Sequence, residues 1–172
     1  MLIIKDNQML LGVKKRGFGM GRLNGAGGKV ESGESIRDAA IRETKEELGI
    51  TPLDPQLVGT VVFGDLYYKG EAEDNVMSIF VANDYTGEPS ESDEIAPEWH
   101  DIDNLPFDRM WGDDYYWMPE ILKGKIIEAF FHYNENDEFT EHWIIERGDE
   151  LIPVGRLEMS QRLAETLHEY TR

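Results

Sequence analysis

Residues 27–50 read GGKVESGESIRDAAIRETKEELGI, and they hold a conflict that any fold must resolve. Ser35 is a natural helix N-cap with Asp38 three residues on, and Gly49 is a natural stop, so the pattern predicts a helix over residues 35–48. At about 100° per residue, Ile36, Ala40, Glu43 and Glu47 project within about 60° of one another. Ala39 and Glu46 flank that stripe, while Asp38, Arg42 and Lys45 fall toward the other side. The face that should pack on a core therefore carries glutamates. Burying carboxylates costs several kcal/mol each unless a cation meets them, and one arginine cannot neutralise three. Two resolutions stand open on the helix alone. One is a solvated acidic helix with i,i+4 pairs such as Arg42–Glu46. The other is a hard cation, Mg²⁺ or Mn²⁺, held by oxygen ligands on successive turns. Gly27 and Gly28, just before the helix, favour the second: they expose backbone carbonyls and let a ligand come close.

The remaining sequence is that of one domain spanning residues 1–172. The 172 residues can bury a single core, and 40% hydrophobic with 30% charged residues is a globular composition. The chain has no cysteine, which excludes a disulfide framework and a thiolate metal site. No apolar run reaches the length of a membrane span, and MLIIKDNQMLLGVKKRG meets charge too early for a secretory signal, so the cytoplasm is the expected location. A net charge of −18, from 35 acidic against 17 basic residues, disfavours nucleic-acid polymers and anionic membranes as partners. A small phosphate ester would need divalent cations to be held by such a protein.

Residues 1–4 and 9–13 read as a hairpin, and KKRGFGMGRLNGAGGK as a basic, glycine-rich loop. Pro52 and Pro55 predict a loop after the helix. Residues 57–68 and 76–82 read as strands, GEPSESDEIAPE as a loop, and EWHDI as a short strand. The stretch PFDRMWGDDYYW predicts a turn leading into a short helix that ends at Leu122. Residues 125–133 and 138–146 predict a second hairpin turning at NEND, and residues 156–172 an amphipathic tail helix. Strands with few helices, out of strict alternation, predict an α/β (α+β) domain on a mixed sheet.

Gly28, Glu34, Arg42, Glu43, Glu46, Glu47 and Gly49 resemble the Nudix box, G-x5-E-x7-R-E-U-x-E-E-x-G-U, with Ile50 at the last apolar position. Seven fixed residues in register arise from composition alone with a probability on the order of 10⁻⁸. Thr44 departs from the bulky aliphatic residue usual at the first U. The resemblance implies an α/β/α sandwich in which the box forms a loop–helix–loop. It also implies hydrolysis of a nucleoside diphosphate linked to another group, with Mg²⁺ or Mn²⁺ as cofactor. By motif position, Glu43, Glu46 and Glu47 would be metal ligands, assisted by a carbonyl of Gly27 or Gly28. Arg42 would orient the carboxylates and Glu34 would tether the loop. Such metals neutralise phosphates and lower the pKa of a bound water.

Beyond the box, LLGVKKRGFGMGRLNGAGGKV, ESDEIAPEW and LPFDRMWGDDYYWMP are similar to the mammalian-type branch of the MutT enzymes, which hydrolyse oxidised purine nucleoside triphosphates such as 8-oxo-dGTP and 2-hydroxy-dATP. That likeness implies a base pocket of Asn24, Trp111, Asp113 and Asp114, with Lys14, Gly27, Gly28 and Lys29 also beside the substrate. Trp111 offers an indole face for stacking, worth ~1–3 kcal/mol per base. Asn24 can both donate and accept along a purine edge. Two crowded carboxyls push one pKa up, so that the protonated one can donate. Glu94 would approach the metal cluster as a ligand or as the general base, and the sequence leaves both open. Leu23 and Ala26 stand where larger aromatics are common, which implies a roomier pocket wall; Asp65 lies near another such position. The branch's first-strand threonine has its counterpart before Met1. Other readings remain: WGDDYYW as a turn with an aromatic core plug, another substrate such as ADP-ribose or a different dNTP, or a non-catalytic nucleotide-sensing module. The intact glutamate set argues against the last. Leu157, Leu163 and Leu167 in the tail would pack on the domain or form a dimer contact, and His168 has no metal-ligand partner at useful spacing.

Overall fold

The computed structural model describes residues 1–68, 71–134 and 139–147. The expected tail helix over 156–172 with His168, residues 135–137 of the second hairpin's turn, and the side chain of Asp65 lie outside what is described. In chain order the elements are β1 (Leu2–Lys5), β2 (Gln8–Lys14), β3 (Leu23–Asn24), α1 (Ile36–Leu48), β4 (Thr51–Leu53), β5 (Gln56–Tyr68), β6 (Glu71–Ala82), β7 (Asp84–Thr86), β8 (Ile95–Asp101), α2 (Asp114–Leu122), β9 (Ile126–Tyr133) and β10 (Phe139–Arg147). The chain divides into two compact units: residues 1–57 with 79–118, and residues 58–78 with the described residues from 119 onward.

In the first unit β1 and β2 form the expected hairpin, with Ile3 opposite Leu10. Its turn residues Asp6 and Asn7 take φ of 52° and 62°. Paired positive φ values give the turn whose twist suits a two-residue hairpin, and Asp and Asn tolerate that region better than other side chains. Strand β2 also pairs antiparallel with β3 and, along its whole length, with β8. The end of β6 runs parallel to β1, Leu2 opposite Val81, so this sheet is mixed. A Cβ at Gly12 would overlap the side chain of Ile95, which fills the gap the glycine leaves between β2 and β8.

Helix α1 forms where its caps predict. The Ser35 hydroxyl accepts from the Asp38 N–H at 3.1 Å, and Gly49 takes φ of 74° while its N–H donates to the Lys45 carbonyl. Ile36, Ala40 and Leu48 pack into an apolar cluster with Ile3, Leu10, Phe80 and Ile95. Thr44, the departure from the box pattern, is fully buried; its hydroxyl donates to the Ala40 carbonyl at 2.7 Å, satisfying it within the helix.

Four sequence expectations need correction. The basic, glycine-rich loop KKRGFGMGRLNGAGGK is interrupted by β3, where Leu23 and Asn24 pair with Val13 and Gly12. Pro52 lies in a strand, not a loop: β4 pairs with β7 in a separate two-stranded ribbon, where a proline on an edge forfeits no ladder bond. The loop before β8 ends sooner than expected, because Ile95, Ala96 and Pro97 pair with Lys14, Val13 and Gly12. Strand β6 begins at Glu71, ahead of its apolar stretch.

The second unit carries β9 between parallel β5 and antiparallel β10. Val61, Ile127, Ala129 and Phe131 are buried there, and the buried Glu128 is paired with Arg147. Among the described residues no helix is long and apolar enough to cross a membrane.

The cap of α1 supports the segment that the site depends on. Ser35→Ala removes the acceptor for the Asp38 N–H and is expected to cost about 1 kcal/mol of stability. Urea unfolding checks this; an unchanged midpoint would show that water satisfies that N–H equally well.

Candidate active site

Arg42 sits at the centre of a carboxylate web. Its Nε and Nη2 donate to the two oxygens of Glu34 at 3.2 and 2.7 Å. Nη1 donates to Glu43 at 2.8 Å and to Glu46 at 3.2 Å, and Nη2 also reaches the Lys29 carbonyl at 3.1 Å. Sequence periodicity sets Arg42 toward the outer side of the helix; the structure instead leaves it half-buried, because a long side chain can curl back over the preceding loop. Its bonds to Glu34 and then Glu43 raise the Arg42 pKa, and its bond to Glu34 lowers that carboxyl's. Glu34 also accepts from the Glu31 N–H at 2.7 Å, which closes the loop before the helix.

The three box glutamates have different surroundings. Glu47 is buried, Glu43 half-buried and Glu46 exposed, so the acidic stripe is graded and not uniformly inward. Glu47 accepts from the Gly27 N–H at 2.9 Å. Burial pushes its carboxyl pKa up; the Gly27 N–H and Lys14 oppose this, while Glu43 and Glu94 add to it. A Cβ at Gly28 would run into the Glu43 carboxylate, whereas one at Gly27 would meet nothing within 4 Å. Glu94 is tied to Arg16, whose bond is the main cause of its lowered pKa. As placed, among the described residues, no three His, Asp or Glu side chains converge closely enough to enclose an ion. Glu43 and Glu46 turn oxygens to Arg42 and Glu94 turns one to Arg16.

A second group lies at the start of α2. Asp113 and Asp114 are both buried, 3% and 7% exposed. Asp113 accepts from the indole N–H of Trp117 at 2.9 Å, and Asp114 accepts from the Trp111 backbone N–H at 3.0 Å. The Trp111 ring stacks on Phe18 at 4.9 Å, and the Arg22 guanidinium lies 4.5 Å from its centroid. Asn24, on β3, donates weakly to the Arg22 carbonyl at 3.4 Å. Lys14, at the end of β2, donates its N–H to the same carbonyl at 2.9 Å. Lys29 is exposed, with its carbonyl on Arg42. Leu23 and Ala26 are fully buried.

The structure thus brings Glu43, Glu94 and Lys14 within electrostatic reach of Glu47, and gathers Trp111, Asp113 and Asp114 on a separate turn. Sequence reasoning missed Arg16, Phe18, Arg22 and Trp117. One of these left a signal: Trp117 is four residues beyond Asp113, one helical turn. The contacts of Arg16, Phe18 and Arg22 are set by pairing across the fold and left none.

Residues 1–121 match the description of a NUDIX domain. The chain is 44% identical over 148 residues, 86% of its length and 93% of the relative's, to a Danio rerio protein named oxidized purine nucleoside triphosphate hydrolase. It is 40% identical over 141 residues to the Mus musculus protein of that name, covering 82% of this chain and 88% of that one. Among solved structures, a MutT protein from Bacillus halodurans aligns with a TM-score of 0.73 at 28% identity, over 83% of this chain and 93% of that one. That likeness bears out the mixed-sheet α+β fold expected from the sequence.

The aspartate pair predicts a pH signature. Burial, then the charge of Asp113, hold the Asp114 carboxyl well above its ordinary pKa, opposed by the Trp111 N–H and Arg22. The native chain therefore keeps a proton that the unfolded chain releases above about pH 4. Because the native state binds more protons at this carboxyl, its contribution to stability falls as pH rises from about 4 to the native midpoint and is level beyond it. The lowered carboxyls Glu34 and Glu94 act below that window and with the opposite sign; the raised Glu47 adds to the decline, and the buried Met1 ammonium, lowered to about 6, opposes it between about pH 6 and 8. Asp114→Asn is expected to flatten the decline in urea unfolding followed from about pH 4 to 9; an undiminished slope would place the proton elsewhere.

Proposed function

The chain belongs to the Nudix family, and from that premise we propose that it is a Mg²⁺-dependent pyrophosphohydrolase of oxidised purine nucleoside triphosphates, releasing the monophosphate and pyrophosphate. The observation that carries the chemistry is the buried carboxylate of Glu47, set near Glu43 and Glu94 with Lys14 as the opposing cation. The substrate follows from the two named relatives and from the Trp111–Asp113–Asp114 turn.

The donors fit a hard divalent ion. They are all oxygens, they carry more negative charge than Lys14 offsets, and the missing Cβ at Gly28 leaves clearance beside Glu43. Glu43, Glu46 and Glu47 would hold the ion, with a carbonyl of Gly27 or Gly28 and with Glu94 close by. Once bound, such an ion offsets the charge of phosphate oxygens and acidifies a coordinated water. Arg42 keeps its charge and aligns Glu43 and Glu46 from the side away from substrate. Lys14 and Lys29 supply positive charge toward the phosphates. Glu94, released from Arg16, joins the ligands or takes a proton from the attacking water. At the base end, the purine takes the place of the Phe18 ring on Trp111, leaving Arg22 over the indole, and Asn24 bonds its edge. One carboxyl of the Asp113–Asp114 pair keeps a proton and donates, while the other accepts, which suits tautomers that ordinary purines do not present.

Two outcomes test this reading. Glu47→Gln keeps an acceptor for the Gly27 N–H and removes a buried charge, so its unfolding midpoint without metal should equal or exceed that of the wild type. Its Mg²⁺-dependent turnover should fall by more than the ~10–100-fold that loss of an outer-shell partner costs a metal site. Near-normal turnover would remove Glu47 from the ligand set. In a panel of 8-oxo-dGTP, 2-hydroxy-dATP, dGTP, dATP and ADP-ribose, assayed with Mg²⁺ and with Mn²⁺, the oxidised triphosphates should give the highest kcat/KM. Preference for ADP-ribose would keep the chemistry and change the substrate; binding without hydrolysis would make the protein a nucleotide sensor.

A further inference from the structure

Arg22 stands at the junction of the two groups. Its Nη1 donates to the Met110 carbonyl at 2.7 Å, and its guanidinium lies over the Trp111 ring. Its backbone carbonyl accepts from the Lys14 N–H and from the Asn24 amide. Its own N–H donates to the Gly19 carbonyl at 3.0 Å, closing the loop that bears Phe18. Gly19 belongs to that arrangement: a Cβ there would stand 2.9 Å from the Trp111 ring. We propose that Arg22 is a positioning residue of the base pocket, clamping the Trp111 indole and setting how the Asp113–Asp114 pair shares its proton. The proposal rests on the function assigned above and adds a residue to it.

The chemistry requires arginine. A flat guanidinium can lie on an indole and still direct an N–H at a carbonyl, whereas a lysine ammonium brings charge without the plane or the fork. The Arg22 residue is exposed, so apolar packing does not account for its placement. Asp114 is faced by the Asp113 carboxylate, which favours its proton, and by the Trp111 N–H and Arg22, which oppose it. Arg22 is the cation among those groups. Its field reaches a buried carboxyl, where screening by salt is weak. One side chain therefore couples the orientation of the stacking surface to the donor–acceptor pattern beside it.

The test compares wild type, Arg22→Gln and Arg22→Lys, each first shown to unfold cooperatively. Carboxyl-carbon NMR of the aspartates through pH needs no substrate. The titration midpoint of the Asp113–Asp114 pair should rise in Arg22→Gln and return toward the wild-type value in Arg22→Lys. In steady-state kinetics with 8-oxo-dGTP and Mg²⁺, Arg22→Gln should raise KM about tenfold and leave kcat within about twofold, since the phosphate end is untouched. Arg22→Lys should keep the raised KM. A wild-type midpoint together with a wild-type KM in Arg22→Gln overturns the proposal, as does a fall in kcat with KM unchanged. If the wild type hydrolyses no oxidised purine triphosphate, the functional reading fails, and the NMR midpoint alone then decides for or against Arg22.

Discussion

The site depends on one arginine that answers several acids. Arg42 holds Glu34 with two nitrogens, Glu43 and Glu46 with a third, and the carbonyl of Lys29 besides. Glu34 and Lys29 belong to the loop and Glu43 and Glu46 to the helix, so a single side chain fixes the loop on the helix that follows it. A lysine could not do this, because a point charge lacks the fork that meets several planar acceptors at once. Glu47 is the carboxylate that this arrangement leaves without an arginine. It is buried, bonded to a backbone N–H, and faces like charges. The loop and helix are thus held together by ion pairs, and a deficit of positive charge remains where phosphates would arrive.

The same first unit carries the residues that the proposed function assigns to the base. Strand β2 is the spine: its end carries Lys14, its neighbour β3 carries Asn24, and its other neighbour β8 begins directly after Glu94. Lys15 and Arg16, just past β2, hold the loop before β8. The Lys15 ammonium donates to Glu91 and to the Ser92 carbonyl, its N–H donates to the Glu94 carbonyl, and Arg16 pairs with Glu94. The basic run of the sequence therefore secures the acidic loop. Trading one of those ion pairs for a phosphate contact is a modest change in energy at exposed positions.

What could be read from the sequence was mostly what is local. The helix bounds followed from Ser35 and Gly49, whose roles concern residues three and four away. The first hairpin followed from two short apolar runs separated by KDNQ. The family's motif was legible because its fixed positions fall on one helix and one loop. The start of β8 was hidden because Ile95 is a strand residue through its pairing with Lys14, far back in the chain, and Pro52 because its partner is Tyr85. The inward turn of Arg42 was hidden for a related reason: a helical wheel places a Cβ, not the end of a long side chain. Arg22 lies 88 residues from Met110, and no local pattern announces that contact.

On this account the buried Glu47 and the half-buried Glu43 face inward because they hold a divalent ion against a triphosphate. A crystal structure with Mg²⁺ and a non-hydrolysable oxidised purine triphosphate tests it most directly. The account predicts an ion on the oxygens of Glu43 and Glu47, with the purine on Trp111. Carboxylates still turned to Arg42 and Gly27, with the nucleotide bound elsewhere, would contradict it.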